Sequence, residues 1–144
     1  MRTLRLLAAA LVLAGLAVSC GGGEKTTVSV TVQEFSVIPA QDSAPAGSVT
    51  FDVENTGPND THEFVVIKTD LAPDALPTDE NGAVLEEGEG MEVIDEIEDI
   101  AVGDTPSLTV DLEAGSYVLI CNIYDEEEQE AHYQEGMRTA FTVE

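Results

Sequence analysis

The stretch Gly115-Ser-Tyr-Val-Leu-Ile-Cys-Asn-Ile-Tyr-Asp-Glu-Glu-Glu-Gln-Glu-Ala-His-Tyr-Gln-Glu-Gly-Met-Arg-Thr-Ala-Phe-Thr-Val143 decides how this chain folds. The turn signal Glu113-Ala-Gly115 leads into Tyr117-Val-Leu-Ile-Cys121, a short apolar run bounded by turn residues, which reads as a strand. Cys121 is in step with Tyr117 and Leu119, so period two places its sulfur on their face. A hydrophilic segment follows, and the chain returns through His132 and Met137 to a last strand, Arg138-Thr-Ala-Phe-Thr-Val143. There Thr139, Phe141 and Val143 share one face. Two strands thus bracket a loop carrying a thiol, an imidazole and a thioether.

The same alternation recurs upstream. Val28, Val30 and Val32 alternate with Ser29 and Thr31, and Val49, Phe51 and Val53 alternate with Thr50 and Asp52 after the turn signal Ala44-Pro-Ala-Gly47. His62 opens a more continuous apolar strand, Phe64-Val-Val-Ile67, and Leu108, Val110 and Leu112 alternate again. Met91 to Ile100 recovers enough alternation to be a further strand. Short strands with turn punctuation point to an all-β antiparallel sandwich of Greek-key type, with no long helix. Leu112-x-x-Gly115-x-Tyr117 carries the signal of a tyrosine corner, in which the hydroxyl bonds nearby backbone. Residues 70–90 differ: Pro73, Pro77, Asn81, Gly82, Gly88 and Gly90 break any period among many acids. They read as a long acidic surface excursion with room for one short helical turn. Asp79-Glu-Asn81-Gly82 fails the residue order of an EF-hand calcium loop.

The N-terminus sets the compartment. Arg2 and Arg5 precede an apolar run from Leu6 to Val18, shorter than the ~20 residues of a membrane-spanning helix. Ala17-Val-Ser-Cys20 resembles the bacterial lipobox, with Ala in place of the commoner Leu. The expectation is a signal peptide over residues 1–20, lipidation of Cys20, a flexible tether over 21–27 and one domain over 28–144. This makes an exported protein, anchored by lipid to the cell membrane and facing the periplasm or the cell exterior. Once Cys20 is lipidated, Cys121 has no partner for a disulfide, and unpaired thiols outside the cytosol tend to oxidise or to be used.

The chain carries 29 Asp and Glu against 5 Lys and Arg, a formal net charge of −24. Beyond the signal peptide only Lys25, Lys68 and Arg138 are basic. Nucleic acid is excluded as a partner, and an anionic membrane surface repels such a domain, so membrane contact runs through the lipid alone. The acidity suits either plain solubility or docking to a basic protein.

His62, Cys121, His132 and Met137 form the candidate metal set. Two imidazoles, a thiolate and a weak axial thioether suit copper that changes oxidation state without changing ligands, with zinc as the competing metal. Combined with Gly47-Ser-Val-Thr-Phe51, Asn55-x-Gly57, His62-Glu-Phe, Tyr117-x(3)-Cys121-Asn and His132-x(4)-Met137, these residues make the domain resemble a cupredoxin of the plastocyanin–azurin family. The resemblance covers nearly the whole mature chain. It implies one type 1 copper ion, with His62, Cys121 and His132 as equatorial ligands and Met137 as axial ligand. One departure is the gap between Cys121 and His132, ten residues where the family has a short loop. Its hydrophilic residues Tyr124 to Glu130 are expected to bulge into solvent and leave the ligand ends in place. The leading functional reading is a monomeric, membrane-tethered carrier of single electrons. Four protein ligands leave no open position for a substrate, so it is not read as an enzyme, and its expected partner is a basic redox protein such as a cytochrome or oxidase subunit. A copper-delivery lipoprotein and a metal-free cupredoxin-like binding module remain as alternatives.

Overall fold

The structure is a computed structural model that describes residues 25–144. The signal peptide, Cys20 and the first part of the tether lie outside the described residues. Among the described residues, eleven strands and one helical turn follow in order: β1 (Thr26–Gln33), β2 (Ser36–Pro39), β3 (Ser43–Ala44), β4 (Gly47–Asn55), β5 (His62–Thr69), β6 (Met91–Ile100), β7 (Ser107–Leu112), β8 (Gly115–Ile120), β9 (Tyr124–Asp125), β10 (Glu130–Ala131), α1 (His132–Glu135) and β11 (Arg138–Val143). The first strand starts at Thr26, so the end of the expected tether is already sheet: Thr26 and Thr27 pair with Val49 and Thr50.

Two sheets pack face to face. One has the order β2-β1-β4-β7 and the other β3-β11-β8-β5-β6. The inward residues are those the alternation marks: Val28, Val30 and Val32 of β1, Val49, Phe51 and Val53 of β4, and Leu108, Val110 and Leu112 of β7 are all buried. They meet Phe64, Val66, Tyr117, Leu119 and Phe141 of the other sheet in one cluster. Phe51 stands at its centre, 5.3 Å from the Phe64 ring and 5.5 Å from that of Phe141. The tyrosine corner forms, with the Tyr117 hydroxyl donating to the Glu113 carbonyl at 2.9 Å.

Two features depart from the sequence reading. The sheets are mixed rather than purely antiparallel, because β1 runs parallel to β4 and β3 parallel to β11. Side-chain alternation is blind to strand direction, so it carries no information on this point. The second departure is the excursion over residues 70–90, which folds into turns and a Thr78–Val84 bridge rather than a helical turn. It also lies against the sandwich. Leu76 and Val84 are buried on Val65, Ile67, Val118 and Ile120, on the outer face of the five-stranded sheet, and on Tyr133 of α1. This explains why Phe64 to Ile67 is continuously apolar: both of its faces are covered. Burial of each such aliphatic side chain contributes about 1.5–3 kcal/mol, so the excursion is part of the fold and not an appendage.

Candidate metal centre

Three loops at one end of the sandwich deliver the chemistry. His62 is the first residue of β5, and the loop before it is knotted by the buried Asn55. The Asn55 side chain accepts from Gly57 N–H at 2.8 Å and donates to the carbonyls of Asp60 at 2.9 Å and Ile100 at 2.8 Å. Gly57 has φ +62°, and a Cβ there would lie 2.8 Å from Val102, so glycine is required on both counts. Cys121 directly follows β8, and its sulfur lies in the core with Tyr117 and Leu119. His132 opens α1 after the β9–β10 hairpin, and its N–H donates to the Ile123 carbonyl at 2.9 Å, closing the loop at its base. As expected, the acids at the hairpin tip point into solvent. Met137, fully buried, donates its N–H to the His132 carbonyl and accepts from the Cys121 N–H, each at 3.0 Å.

The result is a compact triangle of donor atoms. Nδ1 of His62 and Nδ1 of His132 are 3.3 Å apart, and the Cys121 sulfur lies 3.4 Å from the second and 3.9 Å from the first. A triangle with these sides has a point in its plane about 2.1 Å from every corner, a bond length at which imidazole nitrogen holds a transition metal. All three side chains are buried: His62 is 0%, Cys121 0% and His132 3% exposed. The Cys121 sulfur also accepts the Glu63 N–H at 3.2 Å, which fixes its direction.

Burial governs the protonation states. It pushes the Cys121 thiol up to about 12, so thiolate forms at neutral pH only when a cation takes the proton's place. Burial also lowers both histidines, assisted at His62 by the neighbouring His132 and opposed at each by nearby carboxylates. Both imidazoles are therefore neutral near pH 7, the state in which they ligate metals. Among the described residues a second cluster, Glu63, Glu96 and Glu98, brings carboxylate oxygens within 4.8 Å of one another. Burial, then the charges of Glu96 and Glu86, raises Glu63 to about 7, so part of that charge is neutralised.

No family model and no curated protein matches the sequence. Solved structures do match. Dithionite-reduced auracyanin from the photosynthetic bacterium Roseiflexus castenholzii aligns at TM-score 0.58 and 22% identity, over 85% of this chain and 99% of that one. Auracyanin A from Chloroflexus aurantiacus, described as a "blue" copper protein, aligns at TM-score 0.56 and 18% identity, over 84% and 100%. Rusticyanin from Thiobacillus ferrooxidans aligns at 0.55 and 17%, over 85% and 79%. The chain has the cupredoxin fold.

Within this cupredoxin fold, the His62–Cys121–His132 donor set with Met137 beside it fits one type 1 copper ion. Sequence reasoning missed the residues that brace the set. Asn122, next to Cys121, accepts from Val84 N–H at 2.6 Å and donates to its carbonyl at 3.0 Å. Tyr133, next to His132, accepts from Leu76 N–H at 3.1 Å and donates to the Pro73 carbonyl at 2.7 Å. The excursion is thus tied to the neighbours of two donors. Arg138 caps the arrangement, donating to the Tyr133 carbonyl with its guanidinium 5.0 Å from the Tyr133 ring centre. Glu34, in the turn between β1 and β2, accepts from Asn59 N–H at 2.7 Å and Asp60 N–H at 2.6 Å and faces His62. Burial raises its pKa, but these two N–H groups and the nearby His62 outweigh that and leave it lowered, hence ionised. No local pattern around Gln33-Glu34-Phe35 announces this role; the spacing to Asn59 exists only in the fold. Outside the triangle, His132 lines an open pocket of about 430 Å³ together with Asp60, Asp99 and Asp125.

Proposed function

We propose that this protein binds one copper ion through His62, Cys121, His132 and Met137 and carries single electrons between redox partners outside the cytoplasm. The observation that carries the reading is the triangle of two Nδ1 atoms and one sulfur, sized for a metal and built from three buried side chains. Copper bound there supplies a one-electron couple whose two states share one ligand set. The chain's own contribution is rigidity. Cys121 and Met137 are locked by backbone hydrogen bonds, and the Glu63 N–H holds the sulfur's direction. Burial excludes water, so little solvent must reorganise when charge changes. A preformed donor set supports this reading over a metal-free binding module, and the thioether favours copper over zinc.

The acidic pocket at His132 supports a basic redox protein, such as a cytochrome, as the partner, docking where the imidazole edge comes nearest the surface. A lipid on Cys20 would hold the domain at the membrane while it exchanges electrons. The direct test is a visible spectrum of the metal-free protein titrated with Cu(II). An intense thiolate-to-copper band saturating at one equivalent supports the proposal, and a colourless product refutes it. Membrane fractionation and mass spectrometry of wild type and Cys20→Ala test the anchor separately; an unmodified mature N-terminus elsewhere refutes it.

A further inference from the structure

Two buried polar atoms face each other beside the donor triangle with nothing else to bond. Oε2 of Glu34 and Nε2 of His62 are 4.0 Å apart, and neither has a hydrogen-bond partner among the described residues. The Glu34 side chain is 11% exposed and that of His62 0%. The other Glu34 oxygen is held by two backbone N–H groups of the loop that leads into His62, so the carboxylate is pinned in place. An isolated buried carboxylate oxygen and an isolated ring nitrogen each cost free energy that a bond between them would recover. The gap is about 1 Å longer than a hydrogen bond, which a small turn of ring or carboxylate closes.

Resting on the copper reading above, we infer that Glu34 is the positioning residue of the metal centre, accepting the His62 Nε2–H and leaving Nδ1 free for copper. The chemistry follows from the ring. When Nδ1 is the donor, the proton resides on Nε2, and Nε2 points at Glu34. A carboxylate there fixes the tautomer and the ring plane and makes the imidazole a stronger donor. A stronger donor with a negative charge behind it favours Cu(II) over Cu(I) and lowers the reduction potential. Glu34 also ties the β1–β2 turn of the four-stranded sheet to a donor on the five-stranded sheet.

Glu34→Gln is the sharp test. Its amide oxygen must take the Asn59 and Asp60 N–H groups, which turns its NH₂ towards His62 Nε2. Two donors then meet, and His62 is driven to the Nδ1–H tautomer, which competes with the metal. Nitrogen-15 NMR of the metal-free protein should show His62 as Nε2–H in wild type and shifted towards Nδ1–H in the variant. Cu(II) affinity should fall about tenfold. With Cu(I) affinity unchanged, that is a rise of about 59 mV in potential. Glu34→Asp, which keeps the charge but shortens the reach, should lie nearer wild type in potential. Wild-type protein with His62 as Nδ1–H, or a variant with wild-type tautomer and potential, overturns the inference. A wild type that takes up no copper overturns the copper reading instead, and the tautomer measurement still decides the Glu34–His62 bond.

Discussion

Replacing Tyr133 by Phe removes one oxygen atom and asks how firmly the excursion is held. The ring stays, so the apolar packing of Tyr133 on Leu76, Val84 and Ile120 keeps its volume. What goes is the acceptor for the Leu76 N–H, a buried bond of 3.1 Å, and the donor to the Pro73 carbonyl at 2.7 Å. The Pro73 bond is only part-buried, so water can replace it. The Leu76 N–H has no such recourse, and an orphaned buried donor costs about 1–3 kcal/mol. For a domain of this size each kcal/mol lowers Tm by about 3–6 °C. Urea unfolding at constant m-value measures the loss, and hydrogen exchange at the Leu76 amide locates it. The visible copper band should survive, because His132 keeps its own backbone bond to Ile123. A variant within about 0.5 kcal/mol of wild type, with the Leu76 amide still protected, would refute the claim that this hydroxyl fastens the excursion.

Further outcomes are expected at the centre and around it. Cys121→Ser should abolish the charge-transfer band, whereas Met137→Leu should keep a coloured site and raise its potential, both read by spectroscopy and voltammetry. In metal-free protein Cys121 titrates near 12 against ~8.5 for a free thiol, so alkylation at pH 8 should be far slower than for an exposed cysteine. The sign for stability is the same: the neutral buried thiol stabilises the metal-free fold fully below about pH 8.5, and this is lost as pH rises towards 12, which alkaline unfolding of wild type against Cys121→Ser reads. Exchanging Glu126, Glu127 and Glu128 for Gln should raise the potential slightly and flatten the salt dependence of electron exchange with a basic cytochrome. Unchanged rates and salt slope would make these acids a solvated surface only.

Much of this was legible in one dimension. Period-two valines marked the inward faces of β1 and β4, and the order His62, Cys121, His132, Met137 singled out the residues that the fold gathers. Strand direction was not legible, because a parallel and an antiparallel neighbour present the same alternation. Residues 70–90 looked like surface because acids, prolines and glycines dominate them. The counter-signal was elsewhere, in the unbroken Phe64–Ile67 run that needs a cover on each side. Glu34 was invisible for another reason: its partners lie 25 and 26 residues away in sequence and are backbone amides, which every residue offers.

The β9–β10 hairpin gives the long gap between Cys121 and His132 a different meaning. Because Ile123 accepts the His132 N–H and Tyr124 pairs with Ala131, the chain crosses itself at the base of the loop. Mechanically, the donors are joined through that crossing, and the exposed residues Glu126 to Gln129 hang outside the connection. The tip is therefore an interchangeable part. Its length or even a grafted recognition segment can change while the donor triangle keeps its dimensions, so a new partner can be addressed at the tip with no more than the slight shift in potential that its charges carry.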